Sequence, residues 1–240
     1  MQDRPQPVMA HLQELRNRLI WSFLAVIVGI SAVAVYSDDM LLLILNSAKQ
    51  GREIHLVAVA LSETFMVQFR LAIYGGLVLA APVVLYQILA FILPGLHPNE
   101  RRILYVGLPA SLLLFVTGWA FGWFVAVPLC KIFFFDVSAS VGVDQLVTPE
   151  SYLNFVLGLC NPLGIAFQTP LLVFIVAKIG LVTAGFLGRI RKYALLVLLI
   201  IAAILSPPDL VSMTIFFVPL YALYEISIIV ARFAAPKVKK

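Results

Sequence analysis

Six long apolar stretches, separated by short polar or proline-rich breaks, dominate the chain. They run from about 19 to 36, 64 to 93, 103 to 129, 152 to 176, 193 to 205 and 210 to 230. A helix needs about 20 apolar residues to cross a ~30 Å hydrocarbon core at ~1.5 Å per residue. The pattern therefore predicts an all-α polytopic membrane protein with six transmembrane helices. The second stretch, about 30 residues and ~45 Å, has to tilt, bend or protrude. The fifth, about 13 residues and ~20 Å, falls short of the bilayer core. The apolar part of the sixth, Leu210 to Tyr224, is also short. The last two form a tight hairpin, residues 193–230, over Ser206-Pro207-Pro208-Asp209, where the paired prolines cannot continue a helix. This hairpin is expected to thin the membrane locally. Ahead of the first crossing, Val8, Leu12, Leu15 and Leu19 recur at helical spacing with charges between them. That spacing predicts an amphipathic interfacial helix over residues 8–18. No small-residue cleavage site cleanly follows the first apolar run, which reads as a retained helix.

Local signals sharpen the boundaries. Thr148-Pro149-Glu150 reads as N-cap, N1 proline and first-turn acid for the fourth helix. Ser62, Asn99 and Asp209 are candidate caps for the second, third and sixth. Pro82, Pro109, Pro128, Pro162, Pro170 and Pro219 lie inside apolar runs and predict bent helices able to enclose a concave surface. Gly118 and Gly122 form a GxxxG step flanked by Trp119 and Trp123, a close-packing signal. No internal repeat of the inverted-repeat transporter kind is evident, and residues 1–240 read as one six-helix domain.

Composition agrees. Of 240 residues, 62% are apolar and 12% charged, with a mean hydropathy of +1.03. Soluble domains average about 45–50% apolar and roughly 25% charged. The balance excludes disorder and argues against a soluble enzyme or a free nucleic-acid-binding domain, despite a net charge of +5. The 17 basic residues explain that charge by topology. With both termini on one side, only Lys49, Arg52, Arg70 and Lys131 fall on the other, which places both ends in the cytoplasm. Cys130 and Cys160 sit in apolar runs outside any CxxC or Cys/His cluster, so they read as inert thiols rather than metal ligands or a disulfide.

Nothing catalytic stands out. His11, His55 and His97 fall in loops or at the interface, and no HExxH, GxSxG, Walker A loop or membrane Ser/His pair is present. The chain reads as non-enzymatic and calls for no cofactor. A secondary transporter or channel for a small solute is the alternative, but it would favour paired midplane charges or repeat symmetry, and neither is evident.

Several motifs, in order along nearly the whole chain, resemble the TatC family, the receptor subunit of the twin-arginine protein translocase. They begin with His11-Leu12-x-Glu14-Leu15-Arg16-x-Arg18 and continue with Ala81-Pro82-Val83-Val84-Leu85-Tyr86-Gln87 followed by Ala90-Phe91-Ile92. Pro94-Gly95-Leu96-x-x-x-Glu100-Arg101-Arg102, Ser206-Pro207-Pro208-Asp209 and Tyr224-Glu225-Ile226 complete the set. The resemblance implies a scaffold in the bacterial cytoplasmic membrane that binds twin-arginine signal peptides and exports folded proteins using the proton-motive force. It implies single-span TatA and TatB partners docking on the fifth and sixth helices, and further TatC copies. It assigns signal recognition to Glu14 and Glu100, with Arg16 and Phe91 nearby. The chemistry is consistent, because a guanidinium is best met by a carboxylate in a bidentate fork, and few acids lie on the cytoplasmic face. Two plainer roles stay open: Glu14 and Arg18, four apart, can simply pair with each other, and Glu100 can cap the third helix.

On the fourth helix Asn154, Asn161 and Gln168 are spaced by seven and share a face. They serve either interhelical hydrogen bonding or a polar lining and partner contact. In the TatC family the position of Gln168 often carries glutamate, so the neutral side chain here removes a protonatable group. Asp209 marks the outer hairpin tip, and Glu225 is expected to snorkel or to pair with Arg189 or Arg232.

Overall fold

A computed structural model of the chain describes residues 8–49, 56–92, 102–143 and 145–234. Regular structure among them is helical: α1 (Val8–Val35), α2 (Ser37–Lys49), α3 (Glu63–Ile92), α4 (Arg102–Phe121), α5 (Val127–Ser140), α6 (Pro149–Ala166), α7 (Thr169–Lys178), α8 (Ala184–Arg189), α9 (Arg191–Leu205) and α10 (Leu210–Ala234). Extended backbone pairs at one isolated parallel bridge, Leu56 with Val147. Among the described residues five stretches are long and apolar enough to cross a bilayer: His11–Val35, Glu63–Phe91, Gly107–Ser140, Pro149–Lys178 and Leu210–Ala234. The protein is thus an all-helical, multi-pass membrane protein. At 15 residues, or roughly 22 Å, α9 is not among these five.

Several boundaries differ from those the hydrophobic pattern predicts. The interfacial segment and the first crossing are one uninterrupted helix, because no proline and no glycine separates Val8 from Leu19. The third span runs on past residue 129 to Ser140. Lys131 ends the apolar run but not the helix, since its ammonium donates to the carbonyls of Ser47 (3.1 Å) and Ala48 (3.3 Å) at the end of α2. A cation is favoured there by the free carbonyls of a helix C-terminus. The helix α2 itself was not expected. It buries Leu41, Ile44 and Ala48 on one stripe, with Asp38 and Asp39 in its first turn and Lys49 in its last. Of the final hairpin only α9 is short, because α10 continues through Glu225 to Ala234.

Two of the six intramembrane prolines disturb the helix, while Pro82, Pro109, Pro162 and Pro219 lie inside continuous α3, α4, α6 and α10. Pro170 cannot donate to the Ala166 carbonyl, and the chain breaks there between α6 and α7. The Thr169 hydroxyl satisfies that carbonyl instead, at 2.7 Å. Pro128 likewise leaves the carbonyl of Phe124 without its usual donor, and the preceding turn, Gly122–Ala126, widens into a π turn closed by the Val127 amide on the Gly122 carbonyl.

The chain forms two compact units, Met1–Leu43 with Phe65–Leu112, and Ile44–Thr64 with Leu113–Lys240. In the first, α1 and α3 pack antiparallel, with His11 against Phe91 towards one end and Val33 against Gly75 towards the other. Midway their backbones touch. A Cβ on Gly29 would lie 2.5 Å from the Gly76 carbonyl oxygen, and one on Gly76 would lie 2.5 Å from the Ile30 amide nitrogen. In the second unit the Gly118/Gly122 step has its expected role. Cβ atoms there would lie 2.7 Å from the Leu163 carbonyl oxygen and 2.8 Å from Cys160 Cα. Around this contact Leu153, Val156, Leu159, Cys160 and Leu163 are almost wholly buried. Both cysteines are free and buried.

Candidate functional site

Glu14 sits two turns into α1, on the face that meets α3. Its Oε1 accepts from both Nε (2.9 Å) and Nη2 (2.5 Å) of Arg18, one turn further on. The remaining arm of that guanidinium, Nη1, donates to Oε1 of Gln87 on α3 at 3.3 Å. The Glu14 and Arg18 side chains keep 27% and 24% of their surface open. One turn along each helix, the His11 ring stacks on Phe91, with centroids 4.6 Å apart and planes at 20°. An acid, a base, an amide and two rings are therefore held together by two helices whose register is fixed by the Gly29/Gly76 contact.

Arg16 lies on a neighbouring face, exposed, at the start of an open apolar stripe of α1 formed by Leu12, Leu15, Leu19, Ile20, Phe23 and Leu24. Of the four residues expected to recognise the signal, Glu14 and Phe91 are thus adjacent through the His11 and Arg18 rungs, and Arg16 is close by. Glu100, like the expected Asn99 cap, lies outside the described residues. Gln87 was quoted within a motif but given no role. Its signal was its place on α3 one turn before Phe91.

In the second unit the heptad-spaced polar residues do not share one unbroken helix face. Asn154 and Asn161 lie on α6, whereas Gln168 falls in the turn after it and precedes α7. Phe167 and Gln168 keep right-handed helical dihedrals, but the Gln168 amide donates to the Ile165 carbonyl, so the turn tightens ahead of Pro170 and the register shifts. Asn154 is exposed. Asn161 accepts from the Trp119 indole N–H at 3.2 Å, a link between α6 and α4. Gln168 is 7% exposed. At the hairpin tip Asp209 caps α10 as expected, its Oδ1 accepting from the Ser212 amide at 2.7 Å. Among the described residues its Oδ2 and the Ser206 hydroxyl are buried without a hydrogen-bond partner, and the buried Ser212 hydroxyl lies against the Cys130 thiol. Glu225 pairs with Arg191 at 2.7 Å, not with Arg189 or Arg232, and also accepts from the Tyr221 hydroxyl. Arg191 opens α9, the helix antiparallel to α10, and so lies level with Glu225 across the hairpin.

One buried acid was not anticipated. Glu63, 5% exposed, opens α3 and accepts from the amides of Val59 (2.7 Å) and Ala60 (3.4 Å) through Oε2, and from that of Glu150 (3.4 Å) through Oε1. It joins the loop before α3 to the first turn of α6.

Among the described residues no group of His, Cys, Asp or Glu gathers in a way that could hold a metal ion.

The model of the family described as Sec-independent protein translocase protein (TatC) matches residues 10–219. The chain belongs to the TatC family. It is 36% identical to TatC of Carboxydothermus hydrogenoformans over 99% of this chain and 97% of that one. It is 34% identical to TatC of Escherichia coli K12 over 97% and 90%. Two crystal structures of a twin-arginine translocase receptor, TatC, share the fold. One is 31% identical with a TM-score of 0.81, covering 93% of this chain and 99% of that one. The other, in DDM, is 32% identical with a TM-score of 0.83, covering 91% and 98%. As a TatC protein, the chain is a component of the twin-arginine protein translocation system.

Proposed function

We propose that this TatC chain is the signal receptor of a twin-arginine translocase in the bacterial cytoplasmic membrane, gripping the two arginines of a signal through Glu14 and Glu100. The observation that carries this reading is the state of Glu14: a part-exposed carboxylate, fixed between two helices, already engaged with a guanidinium. Arginine is the residue whose planar fork a carboxylate meets best. The exposed apolar stripe beside Arg16 is compatible with the reading, because an export signal follows its basic residues with an apolar stretch. Phe91, stacked on His11, lines the same end of α3.

In this role the chain crosses the membrane six times, α9 being the short fifth crossing, and both termini are cytoplasmic. The α9–α10 hairpin thins the bilayer and receives the single-span TatA and TatB partners. Further TatC copies complete the complex, and the proton-motive force supplies the energy. The chain itself performs no catalysis.

The test is peptide binding to the full chain in nanodiscs, using a labelled twin-arginine signal peptide and its twin-lysine counterpart. Glu14→Gln and Glu100→Gln should each weaken the twin-arginine peptide about tenfold or more, the scale of a charge-assisted hydrogen bond, and leave the twin-lysine peptide nearly unchanged. Equal losses for both peptides, or none for either, would reject the receptor reading.

A further inference from the structure

The geometry around Glu14 assigns a role to a residue of the chain itself. Both Arg18 donors converge on Oε1 of Glu14. Among the described residues Oε2 has no partner. A guanidinium presenting Nε and Nη2 side by side ordinarily uses both oxygens of a carboxylate, one donor to each. Here the fork is half engaged, and the third arm of Arg18 is drawn towards Gln87 on α3. The arrangement is that of a guanidinium which holds the acid without saturating it, and which has a second acceptor to hold if the acid is taken.

Resting on the receptor reading above, we infer that Arg18 is an internal competitor for Glu14: it occupies the acid in the empty receptor and must be outbid by the signal, which makes it a specificity-determining residue. The physical consequence differs for the two kinds of cationic ligand. An arginine of the signal presents a fork, can take the open Oε2 together with Oε1, and releases Arg18 onto Gln87. A lysine presents a single ammonium point charge and cannot replace two donors at once. Arg18 therefore costs every ligand some affinity, and costs a lysine ligand more. The pair is part-exposed and four residues apart on one helix, so the competition it offers is modest.

The experiment measures binding of twin-arginine and twin-lysine signal peptides to the full chain in nanodiscs, for the wild type, Arg18→Gln, Arg18→Lys and Glu14→Gln. Removing the competitor in Arg18→Gln should tighten the twin-arginine peptide about two- to fivefold, the span of a part-exposed ion pair. The twin-lysine peptide should gain more, so the ratio between the two falls. Arg18→Lys keeps the charge but not the fork, should lie between the wild type and Arg18→Gln, and serves if Arg18→Gln fails to fold. A purely structural role for Arg18 would weaken both peptides together and leave their ratio fixed. That result, or binding no tighter than wild type, overturns the inference. Loss of binding in Glu14→Gln beside unchanged Arg18 variants defeats the competitor alone. A wild type that does not prefer twin arginine, or a Glu14→Gln variant that binds like wild type, defeats the receptor reading instead.

Discussion

Gly76→Ala is the most informative single change in the first unit. The added Cβ would stand 2.5 Å from the Ile30 amide nitrogen and 2.6 Å from its Cα, where ordinary contact is 3.4–4 Å. Both obstacles are backbone, so no rotamer change relieves them, and α1 and α3 have to separate by about 1 Å. A gap of that size forfeits a quarter to a half of each dispersion contact along the seam, and overpacking of this kind costs about 1–3 kcal/mol. Alanine also has a better helix propensity than glycine, by about 1 kcal/mol, which would mask part of the cost. Gly158→Ala in α6 is the matched control: it carries the same propensity gain, and its new Cβ meets nothing within 4 Å. The difference between the two variants isolates the steric cost, and Gly76→Ala should be the less stable by about 1–3 kcal/mol. The measurement is detergent-driven unfolding of the purified full chain followed by circular dichroism. Separation of the helices should also loosen the Arg18–Gln87 contact, so twin-arginine peptide binding should weaken in Gly76→Ala and not in Gly158→Ala. Equal stability of the two alanine variants would refute the close backbone contact and the register built on it.

Two further changes probe the second unit. Glu63→Gln turns one acceptor oxygen into a donor facing backbone amides, so either the Val59/Ala60 link or the Glu150 link is lost; about 1–3 kcal/mol should go with it, read as faster hydrogen exchange at those amides. Thr148→Ala removes the side-chain acceptor of the Ser151 amide and half of a capping box, and should cost about 1 kcal/mol in the same unfolding assay.

The long spans were legible because they rest on a property each segment carries alone, which is enough apolar length to cross a bilayer. The α6 start was legible for a similar reason: the Thr148 cap, the N1 proline Pro149 and the first-turn acid Glu150 are local signals, whereas the Ser151 half of the capping box was not foreseen. The features the sequence hid depend on distant partners. The helix α2 is too short to register as a span, and its end is held by Lys131, more than 80 residues away. Glu63 looked like one more surface acid until the loop before it and the start of α6 closed around its carboxylate. Pairing of Glu225 with Arg191 rather than Arg189 or Arg232 depends on how α9 lines up against α10. Gln168 shows the limit of periodicity: seven-residue spacing predicts a shared face only while the helix keeps its pitch, and the turn ahead of Pro170 tightens at Gln168. At the candidate site the sequence identified Glu14 and its possible tie to Arg18, but not the Gln87 arm, because nothing in the order of residues says which turn of α3 faces which turn of α1.

The Arg18 contact also bears on how a receptor at a membrane surface stays stable while empty. Glu14 retains only about a quarter of its exposure, and an ionised carboxylate withdrawn that far from water is costly unless something pairs with it. A site left vacant for a cationic ligand would carry that cost in every unoccupied copy. With Arg18 in place the acid is paired in the empty chain, and on the proposed reading signal binding would exchange one guanidinium for another. Exchange has a smaller net free energy than filling a vacant acid, because one pair is lost as a fuller one is gained. What remains is sensitivity to the difference between the two partners: a ligand that reproduces the fork gains a second oxygen, and one that does not loses a donor. A site built this way gives up affinity and keeps discrimination, which suits a receptor that must release each cargo after reading it. The same reasoning places the control of specificity on α1 and α3 themselves, since the α3 register that presents Gln87 to Arg18 is set by the contact of Gly29 with Gly76.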